Sequence, residues 1–148
     1  QPDAELRLDG SALELLGIRL DGREIGADRY RVEADALVVT GVRGRVIVET
    51  RSRIRPVANT AMQGLYLSGT TERGFLLTQC EAEGFRHVTW SIDRPDVLAR
   101  YTVTLRADRE RYPVLLAGGD VDGKGKLDDG RHWARYVDPQ PKPSYLFA

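Results

Sequence analysis

Three side chains that accept hydrogen bonds recur at every second position in the stretch TQCEAEGFRHVTW, residues 78–90. They are Gln79, Glu81 and Glu83, and they follow directly after an apolar run. In an extended segment alternate side chains share one face, so Gln79 and Glu81 would point the same way while Cys80 points into the protein. The spacing predicts a small acidic patch, which is either ordinary solvated surface or one wall of a binding site.

Other arrangements that carry chemistry lack support in this sequence. Zinc hydrolases commonly use two histidines one helical turn apart, whereas His87 and His132 are far apart and neither belongs to an H-E-x-x-H motif. Each histidine is therefore predicted to be structural. No Ser-His-Asp or Cys-His arrangement has sequence support, and Cys80 is predicted to be a buried core thiol. We predict no catalytic and no metal-binding residue in the chain.

The elements that must position the patch read as strands. Short runs rich in Val, Ile, Leu, Thr and Tyr are separated by Asp-Gly, Gly-Gly and Pro signals, a pattern typical of an antiparallel all-β domain. Helical periodicity is scarce. The predicted strands lie at residues 13–20, 30–32, 37–39, 45–54, 64–67, 75–77 and 101–105.

Three hairpins connect these predicted strands. Asp21-Gly22 is a strong two-residue turn signal, and the polar residues 68–74 predict a second turn. The third prediction joins the run 114–116 to residues 132–137 across a turn rich in Gly and Asp, residues 118–130.

One segment breaks the alternation that marks strands. Residues 82–92 fit a short helical or irregular segment better, and the turn Asp93-Arg94-Pro95-Asp96 is predicted to cap it. The acidic patch thus lies where a strand ends, a favoured position for binding groups because the sheet holds them rigidly while leaving them exposed. A buried pair between Arg86 and Asp93 is left open, and Glu83 is placed where the chain turns away from the patch.

Composition narrows the class of protein. With 148 residues and 41% hydrophobic content the chain fits a single β-domain, residues 1–148. The 22 basic and 22 acidic residues cancel, so no global field favours nucleic acid or an anionic membrane, and neither is predicted as a partner. A stripe of arginines on one strand is interpreted as a solvated strand edge; its members are Arg51, Arg53 and Arg55.

The location of the protein is also predicted from composition. The single Cys80 cannot form an internal disulfide, and the sequence has no apolar signal core and no run of roughly 20 apolar residues. These features predict a cytoplasmic protein. The missing initial Met and the apolar run at the end predict a piece of a longer polypeptide.

Three stretches carry a resemblance to a known family. They are NTAMQGLYLSG (59–69), TQCEAEGFRHVTWSIDRPDVLARYTVTLRADRERYPVLLAGG (78–119) and GRHWARYVDPQPKPSYLFA (130–148). Together they closely resemble the N-terminal domain of the bacterial aminopeptidase N family, which are zinc-dependent metallopeptidases of the gluzincin class. Motifs of this length and order are far more specific than any short pattern.

The resemblance implies a fold and a role. It implies a saddle-like, mostly antiparallel β-sandwich that packs on a separate catalytic domain of the same polypeptide. By similarity, Gln79 and Glu81 correspond to the family's Gln-x-Glu element, which receives the free α-amino group of a peptide's N-terminus. The family's G-x-M-E-N and H-E-x-x-H motifs are absent from this chain. The resemblance therefore places the zinc in the full-length parent, and we predict that the isolated chain is inactive.

Two other interpretations remain open at the level of sequence. The chain is alternatively a stand-alone, non-catalytic β-sandwich binding module, which its composition permits. A purely structural β-domain with a solvated acidic patch is the third interpretation.

Overall fold

The chain folds almost entirely into antiparallel strands. A computed structural model describes residues 4–147, and in that range it contains strands and short 3-10 turns but no α-helix. The strands are β1 Ala4–Asp9, β2 Glu14–Leu20, β3 Arg23–Glu24, β4 Tyr30–Val32, β5 Ala36–Val42, β6 Val48–Arg53, β7 Gly64–Ser68, β8 Phe75–Gln79, β9 Ala99–Asp108, β10 Asp120–Lys126 and β11 Arg131–Lys142. The 3-10 turns are η1 Pro56–Ala58, η2 Phe85–His87 and η3 Ser144–Leu146. The predicted all-β class is confirmed, and η2 lies inside the predicted irregular segment 82–92.

The strands of residues 4–147 form four antiparallel sheets. Their orders are β1-β5-β4, β3-β2-β6, β10-β11-β9 and the two-stranded β7-β8. The Asp21-Gly22 turn is confirmed: Leu20 pairs with Arg23, and both turn residues have positive φ, 48° and 79°. Two positive φ values are what a type I′ hairpin turn needs, which explains the Asp-Gly dipeptide. The arginine-bearing strand β6 is an edge strand, as predicted.

The main core lies between the first two of these sheets. Its buried members are Leu8, Ile18, Leu37, Val39 and Trp90. Trp90 comes from the segment after β8, which is held against β1 by paired backbone hydrogen bonds between Asp9 and Ser91. The core therefore ties the segment that follows the acidic patch to the first strand of the chain.

Glycine at the end of β1 makes this packing possible. A Cβ atom built on Gly10 would collide with the six-membered ring of Trp90. The indole reaches the core only because residue 10 has no side chain. The strand β1 itself was missing from the sequence prediction, which began the first strand at residue 13.

The third predicted hairpin was wrong in one of its strands. Residues 114–116 are not a strand; the partner of β11 is β10, which occupies much of the predicted Gly- and Asp-rich turn. The glycines of β10 were read as turn signals, yet Gly123 and Gly125 lie beneath the indole of Trp133 on the adjacent strand. Their bare backbone makes room for that ring, which is a packing role for glycine in a strand.

Two side chains of β11 hold the irregular segment that contains residues 114–116 against the sheet. The Tyr136 hydroxyl donates to the Leu115 carbonyl oxygen at 2.7 Å, and His132 Nε2 lies 2.7 Å from the Tyr112 carbonyl oxygen. His132 therefore makes a structural contact, in agreement with its predicted role. Across residues 4–147, no helix is long and apolar enough to cross a membrane.

Candidate functional site

The site is built at the end of the β7–β8 hairpin. Strand β8 ends at Gln79, which pairs with Gly64 at the start of β7. Gly64 has a φ of 73°, and a Cβ atom there would lie 2.6 Å from the Cβ of His87 in η2. The open end of the hairpin therefore packs closely on the turn η2, which holds the last residue of β8 in place.

Gln79 and Glu81 are neighbours on the surface. The Gln79 side-chain amide donates to the main-chain oxygen of Glu81 at 3.4 Å, and both residues are exposed. Cys80 between them is 2% exposed, so the predicted alternation about this residue is confirmed. The Glu81–Ala82 peptide bond is cis.

A tight turn follows the pair. The Gly84 amide donates to the Cys80 carbonyl oxygen at 2.8 Å, which folds the chain back on itself. A Cβ atom on Gly84 would collide with the Gln79 carbonyl oxygen, so only glycine permits this closeness. We call residues 79–84 the anchor turn.

The two glutamates of the anchor turn differ in their partners. Glu83 Oε2 lies 3.4 Å from Arg86 Nη1, so Glu83 turns toward Arg86. Within residues 4–147 the Glu81 carboxylate has neither a hydrogen-bond nor an ion-pair partner. The candidate site therefore consists of Gln79 and Glu81, with Glu81 free to accept from a ligand.

A buried ionic cluster lies directly behind the anchor turn. Asp93 has a side chain only 1% exposed, and its Oδ2 accepts from the Arg86 amide at 3.1 Å and from Arg86 Nε at 3.0 Å. Its other oxygen accepts from the Ser144 hydroxyl, and its own amide donates to Asp9 Oδ2 at 2.9 Å. The pair between Arg86 and Asp93, which the sequence left open, exists. The sequence showed no sign of Ser144 or Asp9.

Burial and charge act in opposite directions on Arg86. Its partial burial works to lower the pKa of the guanidinium, but the carboxylates of Asp93 and Glu83 more than compensate, so the pKa is raised overall. Arg86 therefore stays charged and keeps its hold on both carboxylates.

Aromatic side chains join the same elements. The ring of Phe85 in η2 lies 4.8 Å from the ring of Phe147 and 5.9 Å from that of Tyr101, measured between ring centres. Phe147 follows η3, so the chain after β11 packs on the turn next to the candidate site. Contacts of this kind add to the area buried.

Cys80 is predicted to be chemically inert in the folded protein. Burial, and next the negative charge of Asp93, raise the pKa of its thiol to about 11. An unfolded thiol has a pKa near 8.5, so at pH 8 the thiolate fraction should be lower in the folded chain by about 100-fold or more. Reaction with Ellman's reagent should therefore be slow in buffer and fast in concentrated urea. Equal rates would show that the thiol is not buried.

The candidate pair stands on open surface. A groove of about 380 Å³ lies beside β6 and η1 and includes Leu65 and His87, but neither Gln79 nor Glu81 lines it. In residues 4–147 no group of three or more His, Cys, Asp or Glu side chains is arranged to hold a metal ion. The chemistry that Gln79 and Glu81 offer is recognition of a ligand group that donates hydrogen bonds.

The sequence of this domain matches a known protein family. Residues 37–146 match the family model of the Peptidase M1 N-terminal domain, which is most of the chain. The chain belongs to this family. The resemblance to the N-terminal domain of bacterial aminopeptidase N, stated from its motifs, is thereby confirmed.

Close relatives of this M1 N-terminal domain are much longer proteins. The chain is 47% identical over 146 residues to aminopeptidase N of Escherichia coli (strain K12), which covers 99% of the chain and 16% of the relative. It is 47% identical over 143 residues to aminopeptidase N of Caulobacter vibrioides, again covering 16% of that protein. The chain thus spans about one sixth of the length of these relatives.

Solved structures agree with the fold. Aminopeptidase A of Legionella pneumophila, in complex with aspartic acid, superposes with a TM-score of 0.90 at 34% identity, covering 97% of this chain and 16% of that one. An M1 zinc metallopeptidase of Deinococcus radiodurans superposes at 0.71 with 16% identity, covering 99% of this chain and 34% of that one, which shows the fold alone. The roles of Gln79 and Glu81 stay predictions.

Proposed function

We propose that this M1 N-terminal domain is the substrate-anchoring part of a zinc-dependent aminopeptidase, in which Gln79 and Glu81 bind the free α-amino group of a peptide. The observation that carries the proposal is the exposed pair at the end of β8, where the Glu81 carboxylate has no partner within residues 4–147. The length of the relatives supports the presence of a catalytic domain in the same polypeptide.

The chemistry of the pair suits an ammonium group. The α-amino group of a peptide has a pKa of about 8, so it is largely cationic at neutral pH and is attracted by a carboxylate. The Gln79 side chain uses its amide nitrogen to donate to the Glu81 main-chain oxygen, which leaves its amide oxygen as an acceptor. A carboxylate and an amide oxygen together can accept two ammonium protons.

Anchoring the amino group also determines where a peptide is cut. An internal peptide bond offers no ammonium group to the pair. Holding the α-amino group at a fixed distance from the catalytic centre therefore confines cleavage to the first peptide bond. The described residues do not fit a zinc ion. We therefore assign zinc and the general base to the catalytic domain, and binding and orientation to this one.

We also propose a location for the protein, from a separate observation, its single cysteine. A lone buried thiol such as Cys80 suits a reducing compartment. We accordingly place the protein in the cytoplasm.

The test compares two inhibitors that differ only in the amino group. Leucine hydroxamate and 4-methylpentanohydroxamate, its analogue without the amine, are measured as competitive inhibitors of the full-length enzyme. The inhibition constant of the second divided by that of the first is the amino-group factor. Changing both residues, Gln79→Ala with Glu81→Ala, should lower this factor at least about tenfold because the charge-assisted contacts are lost.

A control and a contradicting result complete this test. The constant for the analogue without the amine should stay nearly the same in the double variant, since that inhibitor has no group for the pair to bind. An unchanged amino-group factor together with full activity would instead favour an acidic patch that is only solvated surface.

A further inference from the structure

We propose that Asp93 is a positioning residue that fixes the anchor turn relative to the C-terminal segment of this domain, residues 143–147. The inference rests on the proposed function of Gln79 and Glu81. It assigns to a residue whose side chain is buried away from any substrate control over the positions of the two anchoring side chains. Three observations lead to it.

The first observation is that the Asp93 carboxylate is buried and that both of its oxygens accept hydrogen bonds. Its side chain is 1% exposed, so it is not available to a substrate. One carboxylate oxygen accepts from both the amide and Nε of Arg86, and the other accepts from the Ser144 hydroxyl. The main-chain oxygen of Asp93 also accepts from Arg86 Nη2 at 3.1 Å. A buried carboxylate without hydrogen-bond partners is costly in free energy. Arrangements of the cluster that break these bonds are therefore disfavoured, and one geometry is preferred.

The second observation is the direct path from Asp93 to the anchor turn. Arg86, which Asp93 holds by three hydrogen bonds, lies in η2 and pairs with Glu83 of the anchor turn at 3.4 Å. The Gly84 amide in turn donates to the Cys80 carbonyl oxygen, and Gly84 lies against the Gln79 carbonyl. A shift of Arg86 would therefore move the turn that carries Gln79 and Glu81.

The third observation is the link to the C-terminal segment. Ser144 begins η3 and is buried, with 5% of its surface exposed. Phe147, just after η3, packs on Phe85 of the same turn that holds Arg86. The match to the family model of the Peptidase M1 N-terminal domain ends at residue 146, within this segment. Asp93 thus joins the anchor turn to the segment at which the matched domain ends.

Such a link matters because anchoring works by distance. The anchoring pair and the catalytic centre would belong to different domains, so their separation depends on how rigidly each is attached. A misplacement of about 1 Å by a remote mutation can cost on the order of 100-fold in rate. The anchor turn is tied directly to the segment at which the domain ends. Few intervening contacts therefore separate the two, and fewer small displacements add up between the anchoring pair and the catalytic centre.

The test is a double-mutant cycle in the full-length enzyme, with leucine p-nitroanilide as substrate. Asp93→Asn keeps the shape of the side chain but removes its charge. It should lower kcat/KM roughly 10- to 100-fold in the wild-type background. In the Glu81→Gln background the same change should lower kcat/KM by a clearly smaller factor, because the charge-assisted contact that it misplaces is already gone.

A matched control lies three residues away. Asp96 also pairs with an arginine, at 2.6 Å from Arg94 Nη2, but its side chain is 62% exposed, and among the described residues Arg94, unlike Arg86, has no ion pair with the anchor turn. Asp96→Asn should leave kcat/KM within about twofold of wild type. Ser144→Ala is the second variant, because it removes one donor and no charge. It should act in the same direction as Asp93→Asn and show the same dependence on Glu81.

The outcomes separate this inference from the function on which it rests. Equal losses from Asp93→Asn in both backgrounds would show a general effect on folding or chemistry and would overturn the positioning role. The absence of any loss would also overturn it. If Asp93→Asn does not fold, the same criteria apply to Ser144→Ala. If Glu81→Gln alone has no effect, the proposed function fails, and the positioning role fails with it.

Discussion

Replacing Glu81 by glutamine should lower kcat/KM of the full-length enzyme for aminoacyl substrates roughly 30- to 1000-fold. This loss corresponds to about 2–4 kcal/mol of transition-state stabilisation. Glutamine has nearly the same shape and still offers an oxygen acceptor, so the loss reports the missing negative charge. The effect should be large because the carboxylate is exposed and has no partner in residues 4–147. Steady-state kinetics with leucine p-nitroanilide measures it.

The pH dependence gives this prediction a second readout. The substrate's amino group is cationic below a pKa of about 8 and neutral above it. The advantage of the wild type over Glu81→Gln should therefore be largest below about pH 7 and should shrink as the pH rises through 8. A constant ratio between pH 6 and 9 would argue against binding of an ammonium group.

The control for Glu81 lies at the other end of the same hairpin. Glu72 is exposed in the turn between β7 and β8, so Glu72→Gln removes the same charge without touching the site. Its kcat/KM should stay within about twofold of wild type. If Glu81→Gln also stayed within twofold, Glu81 would be ordinary surface.

The second large effect concerns stability. Replacing Trp90 by alanine should destabilise the folded chain by about 3–5 kcal/mol, because it empties the centre of the main core. Trp90 is 7% exposed and belongs to the buried cluster with Leu8, Ile18, Leu37 and Val39. A loss of this size is a large part of the 5–15 kcal/mol that typically separates folded from unfolded chains. Urea denaturation followed by circular dichroism measures it.

The other tryptophan provides the matched control. Trp133 covers Gly123 and Gly125 on the face of a sheet and is only half-buried. Trp133→Ala should therefore destabilise the chain less than Trp90→Ala does. Equal losses would mean that the core described around Trp90 is not the main source of stability.

Local patterns allowed much of the fold to be predicted. The alternation of apolar and polar residues in 101–105 predicted part of β9, and Asp21-Gly22 predicted a turn with two positive φ values. These features depend on neighbours in the chain, because strand alternation and turn geometry are properties of a few consecutive residues. The same holds for Cys80, whose burial follows from its place between Gln79 and Glu81.

Glycine and the loop around Leu115 were misread because their reasons are not local. Gly123 and Gly125 are strand residues since Trp133 of the adjacent strand fills the space above them. Leu115 lies outside the strands, and its carbonyl oxygen accepts from the hydroxyl of Tyr136, 21 residues later. Neither partner is visible in the few residues on which a turn prediction depends.

For the candidate site, sequence alone determined the pair Gln79 and Glu81, its place at a strand end and the family to which its motif belongs. Only the tertiary structure showed what holds the pair in place. Asp93 bonds to Ser144, 51 residues later in the chain, and to Asp9, 84 residues earlier. Side-chain periodicity encodes which face a residue takes, whereas contacts across such distances depend on how the sheets and turns pack on one another.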